Sequence, residues 1–119
     1  MQLKIISRRL DDGIIVVDCA GRIVFGDETA ALRDEVRSLA ADGSKIVMNL
    51  GEVTYIDSGG LGTLVALYTT ARNAGGAVKL ARLTQRVDDV LQVTKLLTVF
   101  ETFGSEDDAV QSFRQGAAA

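Results

Sequence analysis

The segment Lys45-Ile46-Val47-Met48-Asn49-Leu50 is short, apolar and β-branched, without the polar alternation of a half-exposed strand. A strand of that kind is covered on both faces, which in a chain of this size calls for helices on either side of a central sheet. The remaining sequence supplies them. Leu32, Val36, Leu39 and Ala40 recur at helical spacing after Asp27, a cap candidate, with Asp42-Gly43 as the stop. Leu61, Leu64, Val65, Tyr68 and Ala71 repeat at three and four, predicting a helix from Ser58 or Gly59 to Arg72 that ends at Asn73-Ala74-Gly75-Gly76. A strand is expected at Ala77–Ala81, then a short helix capped by Thr84 with Val87, Val90 and Leu91 inward. A last strand is expected over Leu97–Phe103, and a final helix after the cap Ser105 with its acidic first turn Glu106-Asp107-Asp108.

Two β-type runs precede all of this, Leu3–Ser7 and Gly13–Ala20, joined by the turn-forming Asp11-Asp12-Gly13 and expected to pair antiparallel. Strands that then alternate with helices imply parallel crossovers. The expected fold is α/β: a mixed sheet of about four to five strands with an N-terminal antiparallel hairpin, the rest mainly parallel, and about four helices. Residues 1–114 are expected to form a single domain, and 115–119, Gln115-Gly116-Ala117-Ala118-Ala119, a disordered tail.

Composition narrows the chemistry. The 119 residues include no histidine, which removes imidazole-activated nucleophiles, histidine metal ligands and the usual general base near neutral pH. Cys19, the single cysteine, lies in the apolar run Ile14–Ala20 and is expected to be a buried side chain, not a redox or metal group. A net charge of −3 argues against direct nucleic-acid binding and against an anionic membrane surface, both of which need clustered cations. With no membrane-spanning run and no apolar leader, the chain reads as a soluble, cytoplasmic domain needing no cofactor and no metal. The adjacent pairs Asp88-Asp89 and Asp107-Asp108 diverge on a helix and read as solvated faces, as do Arg22, Arg72 and Lys79.

One stretch exceeds what a plain α/β domain requires. Asp57-Ser58-Gly59-Gly60-Leu61-Gly62 places three glycines and a hydroxyl at a helix start, where exposed N–H groups and the helix dipole suit a phosphate. That phosphate could belong to a ligand or be attached to Ser58. A Walker loop is not matched, since Thr63 and Leu64 follow Gly62 where a lysine would be needed, and the GxGxxG fingerprint is absent. A nucleophile elbow fails because Ile56 stands at its first glycine. Two readings of the residues stay open: a helix capped by Asp57 or Ser58 with closely packed glycines, or a serine presented to another protein's chemistry.

These residues resemble the hallmark of the STAS domain family, in particular bacterial anti-sigma factor antagonists, whose D-S-x-G-L-G segment follows a buried strand. Ile46-Val47-Met48-Asn49-Leu50, Val53-Thr54-Tyr55-Ile56, Gly75-Gly76-Ala77-Val78-Lys79-Leu80 and Val90-Leu91-Gln92-Val93-Thr94-Lys95-Leu96-Leu97 with Phe100 and Phe103 resemble further family segments in the same order. Where these antagonists commonly carry Gly-Glu-Leu-Asp, this chain has Gly21-Arg22-Ile23-Val24, so the acidic pair is absent.

The resemblance implies a non-enzymatic partner switch. The antagonist would bind an anti-sigma factor that is also a serine kinase of the histidine-kinase ATPase fold, freeing a sigma factor. Phosphorylation at Ser58 would break that complex, and a PP2C-type phosphatase would restore it. Asp57, Ser58, Gly59, Gly60, Leu61, Gly62 and Tyr55 are the implied partner-binding and switch residues, although Leu61 at this spacing also fits a core position. The alternative is a STAS scaffold or a subunit of a lipid-type transporter or signalling complex that is never phosphorylated.

Overall fold

Gly13 closes the first connection in the left-handed region at φ +87°, with its N–H donating to the Leu10 carbonyl at 2.9 Å. The flanking strands β1 (Lys4–Arg9) and β2 (Ile15–Ile23) pair antiparallel, from Lys4↔Ala20 to Arg9↔Ile15, as the hairpin composition predicts. This computed structural model describes residues 3–41 and 43–118. Its remaining elements are α1 (Asp27–Ala40), β3 (Lys45–Ile56), α2 (Ser58–Asn73), β4 (Ala77–Ala81), α3 (Gln85–Val93), β5 (Thr102–Phe103) and α4 (Glu106–Ala118). The sheet runs in the order β1-β2-β3-β4-β5, and every pair after the hairpin is parallel. The expected α/β architecture is therefore observed.

Leu32 and Val36 of α1, Leu61, Leu64 and Leu67 of α2, and Val87 and Leu91 of α3 pack on one sheet face with Ile15, Val17, Ile46, Met48 and Leu50. Ala109, Val110 and Phe113 of α4 cover Ile14, Val16, Val47 and Ala81 on the other. Val47 thus faces one layer of helix and Met48 the other, which is why the run at the sheet centre carries no polar alternation. Each such side chain contributes about 1.5–3 kcal/mol through removal from water. Cys19 belongs to this core, and burial pushes its thiol up to about 12, so it stays protonated and inert.

The structure departs from the sequence expectations at several places. β3 continues past Leu50 to Ile56, and β2 past Ala20 to Ile23, because the two pair at Gly21↔Val53 after one register shift and at Arg22↔Tyr55 and Ile23↔Ile56 after a second. Asp27 is the first residue of α1 and not its cap. Gly26 holds that position at φ +146°, a left-handed conformation that an aspartate rarely adopts. Asp42, the expected stop, lies outside the described residues, while Gly43 does take a left-handed φ of +81°.

The strand expected over Leu97–Phe103 shrinks to Thr102–Phe103. Lys95 turns the chain at φ +65°, Leu96–Thr98 form one 3₁₀ turn, and the pairing with β4 is limited to Leu80↔Thr102 and Ala81↔Phe103. Lys79, read as a solvated charge, is 8% exposed, because α4 closes over β4. Its ammonium lies 4.3 Å from the Phe113 ring centroid, bonds the Ser112 hydroxyl and meets Glu101 at 3.7 Å. Backbone residues 115–118, expected as a tail, continue α4, and Ala119 lies outside the described residues. No helix among the described residues is long and apolar enough to cross a membrane.

Candidate functional site

β3 delivers the chain to the start of α2 at the sheet end where β2 also finishes. The Asp57 N–H donates to the Ile23 carbonyl at 3.3 Å, extending the β2–β3 pairing by one bond. The Asp57 side chain then does two things. One carboxylate oxygen accepts the Gly60 N–H at 2.8 Å, capping α2, and both oxygens accept the Phe25 N–H at 3.2 Å, tying the β2–α1 connection to the helix start. The Gly60 bond, with those of Phe25 and Gly59, holds the Asp57 carboxyl below the ordinary carboxylate range, so it is ionised at neutral pH.

Ser58 is the first residue of α2 and is exposed, and its hydroxyl makes no hydrogen bond with the described residues. With Asp57 as the cap, the Ser58 hydroxyl takes no part in capping. Its position at the helix N-terminus favours negative charge on that hydroxyl.

The three glycines, alike in sequence, have different surroundings. A Cβ on Gly60 would lie 1.9 Å from the Ile23 carbonyl oxygen, and one on Gly59 2.6 Å from the Phe25 Cβ. Gly60 is buried and Leu61 is 8% exposed, so both belong to the packed base of the loop. A Cβ on Gly62 would meet nothing within 4 Å, and Gly62 is exposed. Neither packing nor backbone conformation accounts for it.

Gly62→Ala should therefore stabilise the fold by about 0.8–1.0 kcal/mol, the helix-propensity difference. If the bare backbone there serves a partner's close approach, the same variant should bind more weakly. Urea denaturation and calorimetry on one preparation check both, and a variant that is more stable and binds unchanged would take Gly62 out of the interface.

Beyond the sequence-derived residues, the structure adds Phe25. It is 84% exposed, stands against Gly59, and lines a groove of about 330 Å³ between α1 and α2 together with Arg33, Gly62 and Ala66. An aromatic directly before a glycine at a strand end was the available signal, since such a residue has left the strand's alternation before the helical one begins. Tyr55 is half-buried, with the guanidiniums of Arg22 and Arg86 each 5.0 Å from its ring centroid. Tyr55, Asp57, Ser58, Gly59 and Gly62 thus reach the surface at one end of the molecule. No group of three or more Cys, Asp and Glu side chains suited to a metal ion occurs among the described residues.

Comparison with known proteins bears on this geometry. The STAS domain profile matches residues 6–109. The chain belongs to the STAS domain family. It is 31% identical over 98 residues to the anti-sigma-B factor antagonist of Bacillus subtilis, covering 82% of this chain and 88% of that one. An anti-sigma factor antagonist from Mycobacterium paratuberculosis superposes with a TM-score of 0.81 at 25% identity over 95% of each chain. The Bacillus cell-fate determinant SpoIIAA, in its phosphorylated form, superposes with a TM-score of 0.72 at 15% identity, covering 92% of this chain and 99% of that one. The five-stranded mixed sheet with its four helices is thus that of a STAS domain.

Proposed function

We propose that this STAS domain is an anti-sigma factor antagonist, acting in the bacterial cytoplasm as a binding protein and not as an enzyme. Unphosphorylated, it binds an anti-sigma factor that is a serine kinase of the histidine-kinase ATPase fold, and the sigma factor is released. The kinase phosphorylates Ser58, and a PP2C-type phosphatase reverses this. The observation that carries the reading is the free, exposed Ser58 hydroxyl on the first residue of α2, held in place by the Asp57 cap. The names of the relatives in Bacillus subtilis and Mycobacterium paratuberculosis support the antagonist role.

The chemistry is consistent with a switch. A phosphate adds about 1.5–2 negative charges beside the ionised Asp57, in a surface that must close on a partner. In the free domain the same phosphate meets the N-terminal end of α2 and is tolerated. Asp57 positions the acceptor, and Gly59 and Gly62 keep bulk away from it.

The test incubates the domain and its Ser58→Ala variant with ATP and each kinase-like anti-sigma factor of its own organism, reading intact mass. One phosphate on the parent and none on the variant is expected. If no kinase binds or modifies the parent, the antagonist reading is overturned in favour of a scaffold.

A further inference from the structure

Arg22 and Arg86 stand 5.0 Å each from the Tyr55 ring centroid. The two come from different elements. Arg22 is the cross-strand partner of Tyr55 on β2, and Arg86 lies in the first turn of α3. The start of α3 is itself pinned to β3, because the Thr84 hydroxyl that caps it donates to the Val53 carbonyl at 2.9 Å. Three elements therefore hold the arrangement, and it is not an accident of one loose side chain.

Its electrostatics are incomplete. No carboxylate among the described residues pairs with Arg22 or Arg86, which holds also for most other Lys and Arg of the chain, but only these two cations are brought onto one aromatic ring. A guanidinium stacked on a ring still presents its N–H edge outward, in the fork geometry that fits a carboxylate. Arg86 moreover occupies a helix N-terminus, where the dipole disfavours a cation. Two unpaired cations share one ring in a chain whose net charge is −3, so the positive patch does not follow from overall composition.

The patch also lies beside the proposed switch. Tyr55 precedes Ser58 by three residues, and Ile23, next to Arg22, supplies the carbonyl that receives the Asp57 N–H. A protein seated over Ser58 would extend across it.

We propose that Arg22, Tyr55 and Arg86 form a recognition patch for an aspartate- or glutamate-bearing segment of the protein that docks over Ser58. This rests on the antagonist reading and adds to it the charge of the partner's contact segment. The two guanidiniums take carboxylates through their N–H groups while the tyrosine ring holds both close together. Such complementarity selects among partners and speeds encounter more than it adds bulk affinity.

The experiment measures binding of the anti-sigma kinase that modifies Ser58 to the full chain, to Arg22→Glu/Arg86→Glu, and to the milder Arg22→Ala/Arg86→Ala, with thermal melts of all three. The charge reversal should weaken binding by roughly tenfold or more at low salt with the melt preserved, the alanine pair should weaken it less, and the salt dependence should flatten in both. Affinities within about threefold of the parent for both pairs would overturn the patch and leave the antagonist reading intact. If no kinase binds even the parent, that reading fails first, and a decaglutamate peptide titrated in NMR judges the patch alone. Shifts centred on Arg22, Tyr55 and Arg86 and lost in the alanine pair support it, and their absence overturns it.

Discussion

Gly60→Ala should destabilise this domain severely. The added Cβ would sit 1.9 Å from the Ile23 carbonyl oxygen and 2.6 Å from its carbon, both backbone atoms that cannot rotate away as a side chain would. Relief requires α2 to move off β2, and that movement also breaks the Asp57–Ile23 bond at 3.3 Å and the Asp57–Gly60 cap at 2.8 Å. Overpacking alone costs about 1–3 kcal/mol, and with the cap and the strand-end bond lost the total should exceed about 4 kcal/mol. Set against a domain stability of about 5–15 kcal/mol, this is a large fraction of the total and most of it at the lower end. Urea denaturation monitored by far-UV circular dichroism reads the effect directly. A midpoint close to the parent's would mean that α2 is not locked against β2 at Gly60.

Ser58→Asp should lower affinity for the anti-sigma kinase by roughly tenfold or more, the scale of a charge-driven coupling, while Ser58→Ala keeps parental affinity. The difference isolates charge from the loss of the hydroxyl, because both variants remove it. Stability should move the other way or not at all. A carboxylate on the first residue of α2 faces the positive end of that helix, and Ser58 is exposed, so neither packing nor helix start is disturbed. Calorimetric titration of both variants, with thermal melts as the control, separates a binding effect from a folding one. Equal affinities for the two would remove phosphorylation as the switch.

Much of this architecture was legible because its signals are local. β4 occupies Ala77–Ala81 as the apolar run after Gly75-Gly76 predicts. Asp57, Thr84 and Ser105 each cap the helix they precede, through bonds from Gly60, Val87 and Asp108, since a side-chain oxygen reaching an N–H three residues on needs nothing from the rest of the chain. The hairpin and the parallel order followed from turn residues and alternation. The site was legible to the level of the Asp57–Gly62 loop.

The rest was decided by contacts between segments distant in sequence. Gly51-Glu52-Val53-Thr54 lies beyond the strand expected at Lys45–Leu50 until β2 supplies the partners that extend it, and Lys79 looks solvated until α4 covers it. Gly60 and Gly62 are the same residue two positions apart. Only the Ile23 carbonyl tells the one that must be glycine for packing from the one left bare at the surface. Tyr55, Arg22 and Arg86 come together because β-pairing and the docking of α3 put them there. Caps, turns and periodicity act over a few residues and are written in the chain itself, so they determined the elements and the position of Ser58. Register, burial and steric closeness between elements depend on where the whole chain packs, and they alone decided which part of the loop is packed and which is left at the surface.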